Sequence, residues 1–340
     1  MTVQAVSDGL RVMERFGIGR TPLIRLPGLT KAGGVWLKAE YANPFGSVKD
    51  RTAAYLLAWA HAQLGPGVSV VESTSGNLGV ALARIGRQIG VPVTLVMDAS
   101  LPARRIDDVR RTGAAVTVVE ERHAGLTFRE SRIATARRMG RRPGWIWLNQ
   151  YANEAGLQAH EQTTGPEIRD SFQGEVDAVV ASVGTGGTLC GISAALRHRA
   201  GAPLIVGVEP VGSTISGGAH GSYLPAGSGM RGTPEVVARH RDLLDCFAKV
   251  PDHLSAAWAL RLLRRFGIEV GQTTGAAVAV AAMLAEQRDA RVAVVAPDRG
   301  RTFRTLMRGL AGSVPGPYDS GGIQIVPFGR GDAASAEEPR

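Results

Sequence analysis

The stretch VSVVESTSGNLGVALARIGRQI, residues 68–89, decides the fold. Its opening, 68–72, is a β-branched run suited to a buried strand, and 77–89 carries apolar residues at helical spacing among Ala, Leu and Arg. Between them lies a loop of hydroxyls, one glycine and one amide. A strand passing through a small-residue loop into a helix is the repeating unit of an α/β protein with a largely parallel sheet.

Outward from this unit the alternation continues. Further strands are expected at 93–97, 115–119, 178–182, 204–209 and 292–296, with helices over 51–64, 104–112, 128–138, 155–172, 188–198, 255–265 and 275–286. Gly-rich breaks follow strands at 73–79, 183–187 and 298–300, and the carboxyl edge of an open α/β sheet is where ligands bind. Residues 212–232 are Gly-rich without periodicity and read as a long functional loop. Residues 315–340 lack either period and read as a flexible tail.

The 340 residues, 44% hydrophobic, make one large domain or two modest ones. No apolar run is long enough to span a bilayer, and residues 1–9 lack the basic and apolar regions of a secretory signal. A cytoplasmic protein without membrane contact is therefore expected. Cys190 and Cys246 are too few for a disulfide framework or a thiolate metal site, and are expected as free thiols with no metal bound. The net charge of +9 raises nucleic-acid binding as the non-enzymatic alternative. Against it, the positive charge is spread as Arg pairs, and aromatic residues are only 5%, leaving little to stack on bases.

Three segments carry chemistry. In Asn43-Pro-Phe-Gly-Ser-Val-Lys49-Asp-Arg51, a lysine opens a helix in a chain whose only other lysines are Lys31, Lys38 and Lys249. A protein that uses Arg almost everywhere keeps Lys where a guanidinium cannot serve, as in forming an imine or acting as a base. In the loop Glu72-Ser-Thr74-Ser75-Gly76-Asn77, the hydroxyls exceed what one helix cap needs, and with free N–H groups they suit a carboxylate. In Val183-Gly184-Thr185-Gly186-Gly187-Thr188, glycines and hydroxyls at a helix start suit a phosphate. The string is neither a dinucleotide fingerprint nor a Walker loop. Residues 227–232 do match G-x-G-x-x-G, but no strand immediately precedes them and the match is accidental. A reactive lysine, a carboxylate loop and a phosphate loop together point to a phosphorylated carbonyl cofactor handling an amino acid, which pyridoxal phosphate fits.

With these motifs in place, the chain resembles the fold-type II pyridoxal-phosphate family of cysteine synthases and cystathionine β-synthases across nearly its whole length. The resemblance rests on Thr21-Pro-Leu-Ile-Arg-Leu, the Lys49 segment, the Thr-Ser-Gly-Asn-x-Gly loop, Asn149-Gln150-Tyr151 and Gly-Thr-Gly-Gly-Thr. It implies that Lys49 carries the cofactor as an imine, that Asn77 bonds its phenolic oxygen, and that Gly184, Thr185, Gly186, Gly187 and Thr188 bind its phosphate. Thr74, Ser75, Gly76 and Gln150 would grip a substrate α-carboxylate, and Thr273 would face the pyridine nitrogen. A neutral hydroxyl there favours prompt loss of a β-leaving group, so the implied reaction is β-replacement through an aminoacrylate.

Ser73, Leu78, Tyr151, Glu154 and Asp298-Arg299 depart from plain cysteine synthases. They resemble the branch that makes N-(2-amino-2-carboxyethyl)-L-glutamate, a 2,3-diaminopropionate precursor for secondary metabolism, from O-phospho-L-serine and L-glutamate. The alternative within the family is a cysteine or S-sulfocysteine synthase using O-acetylserine or O-phosphoserine; a catalytically silent regulatory protein on the same fold is a further one. Anionic amino acids call for cations at the site, and Arg231 is the first candidate, with Arg299 second. The resemblance also implies a homodimer and two doubly wound, three-layer (αβα) domains like tryptophan synthase β, with the cofactor between them. The larger is expected from 1–46 plus 152–314 and the smaller, mobile one from 47–151.

Overall fold

The computed structural model describes residues 1–74, 76–101, 103–197, 201–224, 227–300 and 321–328. Its strands are β1 (Leu23–Arg25), β2 (Gly34–Ala39), β3 (Ser69–Ser73), β4 (Val93–Asp98), β5 (Ala115–Val119), β6 (Trp145–Trp147), β7 (Ala178–Ser182), β8 (Leu204–Pro210), β9 (Cys246–Val250), β10 (Arg291–Ala296) and β11 (Gln324–Pro327). Its helices are α1 (Val3–Phe16), α2 (Lys49–Leu64), α3 (Asn77–Ile89), α4 (Ala103–Arg110), α5 (Phe128–Met139), α6 (Ala155–Ala159), α7 (Gly165–Ser171), α8 (Gly187–Leu196), α9 (Glu235–Arg239), α10 (Asp252–Phe266) and α11 (Gln272–Arg288). They form two compact units, Met1–Gly19 with Asn43–Ala159, and Arg20–Ala42 with His160–Arg340.

The first unit is built on a parallel sheet of order β5-β4-β3-β6. Successive residues of a strand face opposite sides, and each side here has its own apolar partner. Val71, Val96 and Val119 meet Ala136 and Met139 of α5. Val70, Leu95 and Met97 instead join Leu57 of α2, Leu82 of α3 and Val109 of α4. Helices on both faces explain why these strands read as continuous hydrophobic runs.

The expected boundary at residue 46 does not match the first unit, because Met1–Gly19 belongs to it. Helix α1, capped by Thr2 and closed by left-handed Gly17, lays its buried Ala5, Gly9 and Met13 face on α2. Gly9 is required there: a Cβ would stand 2.9 Å from the Tyr55 ring.

The second unit holds a seven-stranded sheet of order β1-β2-β10-β7-β8-β9-β11, parallel from β2 to β9 with antiparallel edges. Val180, Val206, Ala248 and Val294 pack with α10 and α11 on one face. Val179, Ile205 and Ala293 alternate with them and are also fully buried, and α8 packs on β7 and β8. The helix expected at 155–172 is interrupted by a π-helical turn, His160–Thr164, before Gly165 and Pro166 start α7. Within the expected tail, residues 321–328 are ordered. β11 pairs with β9, and buried Phe328 meets Phe247 edge-on at 4.7 Å. Residues 315–320 and 329–340 lie outside the described residues.

Candidate active site

In the first unit, β4 and β5 lie to one side of β3 and β6 to the other, so the loops after β3 and β6 open over a topological switch point. Helix α2 begins at Lys49, after a turn in which Gly46 N–H bonds Asn43 O at 2.8 Å and Asp50 N–H bonds Ser47 O at 3.2 Å. Asp50 folds back to accept the Phe45 N–H at 2.7 Å, which pins the turn against the helix start. Lys49 itself is only partly exposed. Burial lowers its pKa to about 8, opposed by the charge of Glu72.

Glu72, fully buried near the end of β3, is the hub of this unit's site. It accepts from the Ser73 N–H at 2.9 Å, the Gln150 N–H at 3.3 Å and the Gln150 side-chain amide at 3.4 Å. Burial raises its pKa to about 8, against the opposing pull of those hydrogen bonds. Gln150 also donates its amide to Ser73 O at 3.0 Å, so the end of β3 and the loop after β6 are tied together through one carboxylate and one carbonyl. The adjoining Tyr151 hydroxyl is pushed up by burial, against the opposing charges of Arg129 and Arg132.

Thr74 Oγ1 accepts the Gly76 N–H at 3.2 Å, and no described side chain caps the N-terminus of α3. The Gly79 N–H of its first turn is bonded to Gly76 O at 3.1 Å. Asn77 is the first residue of α3. Ser75, expected in the same carboxylate loop, lies outside the described residues.

In the second unit the order reverses between β7 and β10, and the loop after β7 carries Gly184–Thr188. Gly186 is left-handed, with φ +89°, and caps α8 without a side-chain bond. The loop is closely walled: a Cβ on Gly184 would lie 2.7 Å from Gly227 O, and one on Gly186 2.3 Å from Val237 Cγ2. Thr273 is buried at the start of α11, and its carbonyl accepts from Ser182 Oγ, at the end of β7, at 2.7 Å.

Arg231 is exposed and makes no ion pair among the described residues. Its loop is clamped to the end of β7 by the Gly229 N–H bond to Val183 O at 2.8 Å. Arg299 is engaged elsewhere, its guanidinium 4.8 Å from the Tyr41 ring. Each unit thus gathers its own expected residues: Lys49, Thr74, Gly76 and Gln150 around Glu72 in one, and the 184–188 loop with Thr273 and the Arg231 loop in the other.

Two residues went unassigned in the sequence reading. Glu72 stands as a carboxylate inside an apolar strand, a visible signal; its partner Gln150 is 78 residues away. His160 is fully buried, with Nε2 3.2 Å from Thr188 Oγ1 and Nδ1 2.8 Å from Thr164 Oγ1. Only its spacing of four from Thr164 is local.

A family model described as pyridoxal-phosphate dependent enzyme matches residues 14–298. The chain belongs to that family. It is 35% identical, over 293 residues, to N-(2-amino-2-carboxyethyl)-L-glutamate synthase of Ralstonia nicotianae, covering 84% of this chain and 86% of that protein. Among solved structures, a cysteine synthase from Entamoeba histolytica superposes with a TM-score of 0.80 at 26% identity, covering 94% of both chains. O-ureido-L-serine synthase gives 0.78 at 28% identity, covering 93% of this chain and 98% of that one. The protein is accordingly a fold-type II enzyme, its cofactor is pyridoxal 5′-phosphate, and it acts as a synthase on small amino-acid substrates. Among the described residues no helix is long and apolar enough to cross a membrane, and no cluster of His, Cys, Asp and Glu could hold a metal.

Proposed function

We propose that the enzyme catalyses β-replacement on O-phospho-L-serine with L-glutamate, giving N-(2-amino-2-carboxyethyl)-L-glutamate and inorganic phosphate. The observation that carries this reading is the similarity to the Ralstonia synthase over 84% of the chain. Ser73, Leu78, Tyr151 and Asp298 accompany it, where plain cysteine synthases differ.

The residues fit the cofactor. Lys49 offers an amine whose proton affinity burial has lowered, and Nζ makes no hydrogen bond or ion pair among the described residues; it would hold the cofactor covalently. The uncapped start of α8, with Thr185 and Thr188, would hold the phosphate, Asn77 the phenolic oxygen and Thr273 the ring nitrogen. Bound pyridoxal phosphate supplies an electron sink that acidifies an amino acid's Cα–H and lets a leaving group depart from Cβ.

The chain's own groups then have separate tasks. With a pKa near 8, Lys49 Nζ is partly neutral at neutral pH and can take up the substrate Cα proton. Thr74, Ser75, Gly76 and Gln150 receive the substrate α-carboxylate. Gln150 must first turn its amide away from Ser73 O, because that N–H is already in use. Arg231, an exposed cation on a loop clamped to β7, draws in the anionic groups of phosphoserine and glutamate. Overall the Cβ–O bond to phosphate breaks and a Cβ–N bond to the glutamate amine forms.

The test is incubation with phosphoserine and glutamate, scored by mass spectrometry for the N-linked adduct and by stoichiometric phosphate release. Cysteine formed rapidly from O-acetylserine and sulfide, with no adduct, would overturn the reading in favour of a cysteine synthase. The reading includes a cytoplasmic homodimer, and light scattering checks the dimer.

A further inference from the structure

The string Gly227-Ser228-Gly229-Met230-Arg231-Gly232 matches a nucleotide fingerprint only by accident, yet its three glycines all have positive φ, +101°, +74° and +80°. Left-handed residues on both sides of one position bend the chain sharply there, and that position is Ser228. It is 5% exposed, and its hydroxyl makes no hydrogen bond among the described residues.

The loop around it is pinned. Gly229 N–H bonds Val183 O at 2.8 Å, Met230 N–H bonds Ser213 Oγ at 3.1 Å, Thr214 N–H bonds Met230 O at 2.9 Å, and Gly232 N–H bonds Thr214 Oγ1 at 2.8 Å. Ser213 in turn donates to buried Glu209, which Lys249 pairs at 2.8 Å. Two buried serines of one loop system therefore differ: Ser213 Oγ holds the scaffold together, and Ser228 Oγ holds nothing.

A buried hydroxyl without a partner is costly to a fold, so one kept on a rigid loop calls for a partner from outside. Its surroundings say which kind. Ser228 Cα lies 4.0 Å from where a Gly184 Cβ would stand, so the serine borders the loop after β7, at the carboxyl edge of the sheet where ligands bind. Gly184 and Thr185 are only partly buried, and Arg231, on the same pinned loop, is an exposed cation without an ion pair among the described residues. A hydroxyl donor beside a cation suits an anionic oxygen.

We propose that Ser228 is a specificity-determining residue, donating its hydroxyl to an anionic oxygen of a reacting amino acid while Arg231 supplies charge from the same loop. This deepens, and rests on, the reading of the enzyme as a synthase joining two anionic amino acids. Phosphoserine brings such an oxygen on its phosphate and glutamate on its side-chain carboxylate, and the experiment distinguishes the two.

The experiment is steady-state kinetics of Ser228→Ala holoenzyme, varying phosphoserine and glutamate in turn, with O-acetylserine as the donor that lacks a phosphate. KM for one anionic substrate is expected to rise about tenfold, the scale of one hydrogen bond to a charged group, with kcat nearly unchanged. A rise for phosphoserine but not for O-acetylserine identifies the phosphate as the partner; a rise for glutamate with either donor identifies the carboxylate. Ser228→Cys, which keeps a weak donor, should fall between wild type and Ser228→Ala. Because the hydroxyl has no partner within the fold, the urea midpoint of Ser228→Ala should stay at the wild-type value, whereas Ser213→Ala should lower it.

Unchanged KM for both amino acids would overturn the proposal. So would a loss of stability equal to that of Ser213→Ala, which would make Ser228 structural, or weakened pyridoxal-phosphate affinity at unchanged KM, which would assign the hydroxyl to the cofactor. If the wild-type enzyme forms no adduct from phosphoserine and glutamate, the functional reading fails instead. Ser228→Ala is then measured on the amino acids the enzyme does accept, where a raised KM upholds the role of the hydroxyl and unchanged values overturn it.

Discussion

Gly186→Ala is the most direct probe of the loop after β7, and its cost follows from two separate features. At φ +89° the backbone is left-handed, which costs an L-residue with a Cβ about 1–2 kcal/mol. The new Cβ would also stand 2.3 Å from Val237 Cγ2, well inside contact distance, and overpacking of this kind costs about 1–3 kcal/mol. Together they predict about 2–5 kcal/mol, a large share of the roughly 5–15 kcal/mol that holds a typical domain folded. Urea unfolding of the apo-proteins measures the loss, and reconstitution measures the accompanying fall in cofactor affinity. Val237→Ala separates the terms: in that background the clash is gone and only the backbone strain, about 1–2 kcal/mol, should remain. Full stability and unchanged affinity in Gly186→Ala alone would refute the reasoning, since the loop would then need neither its left-handed turn nor its close wall.

Glu72 and Lys49 give the apo-protein a distinctive pH profile. Glu72 titrates near 8 in the folded chain but near 4.3 unfolded, so the folded state binds the extra proton and stability falls as pH rises between those values. Lys49 titrates near 8 folded and near 10.4 unfolded, so there the unfolded state binds the extra proton and stability recovers above pH 8. Glu72→Gln should flatten the falling limb of urea midpoints between pH 5 and 8; an unchanged limb would assign it to other groups. Lys249→Met should cost about 3–5 kcal/mol and speed proteolysis within 212–232, because Lys249 donates to buried Glu209 at 2.8 Å and to Ser213 O and Gly217 O. Adding Glu209→Gln should restore much of that loss. Phe328→Ala should cost about 3 kcal/mol in thermal or urea melts, since Phe328 is 2% exposed, meets Phe247 edge-on and lies beneath the Arg241 guanidinium at 4.2 Å.

The strands legible in the sequence are the continuous apolar runs, each within about a residue of its place, because parallel strands covered on both faces leave no room for polar alternation. Those that escaped, β1, β2, β6, β9 and β11, are short, lie at or near a sheet edge, or are interrupted by Lys, Trp or Pro. The loops of the site were legible for a local reason: hydroxyls, glycines and amides gather where a strand delivers the chain to a helix start. What holds those loops was not, because Glu72 reaches Gln150 across 78 residues and His160 reaches Thr188 across 28. The placement of Met1–Gly19 was hidden likewise, since only the three-dimensional fit of Gly9 on Tyr55 reveals which helix α1 covers.

Scarcity alone does not distinguish Lys49 from the other lysines. Three of the four occupy sites with little or partial exposure, so rarity alone marks enclosure as much as chemistry. Lys38 Nζ meets Glu167 at 2.6 Å and Thr21 O, and Lys249 Nζ meets Glu209 and two loop carbonyls. A compact ammonium with three donors suits both sites better than a planar guanidinium would. Lys49 is the exception in that its Nζ has no direct partner among the described residues, while burial lowers its pKa to about 8. An enclosed amine held neither by a carboxylate nor by a carbonyl is poorly placed to stabilise the fold, and it is free to bond covalently. What singles out Lys49 is therefore the combination of burial with an unengaged nitrogen, a property its sequence neighbourhood suggests and only its surroundings establish.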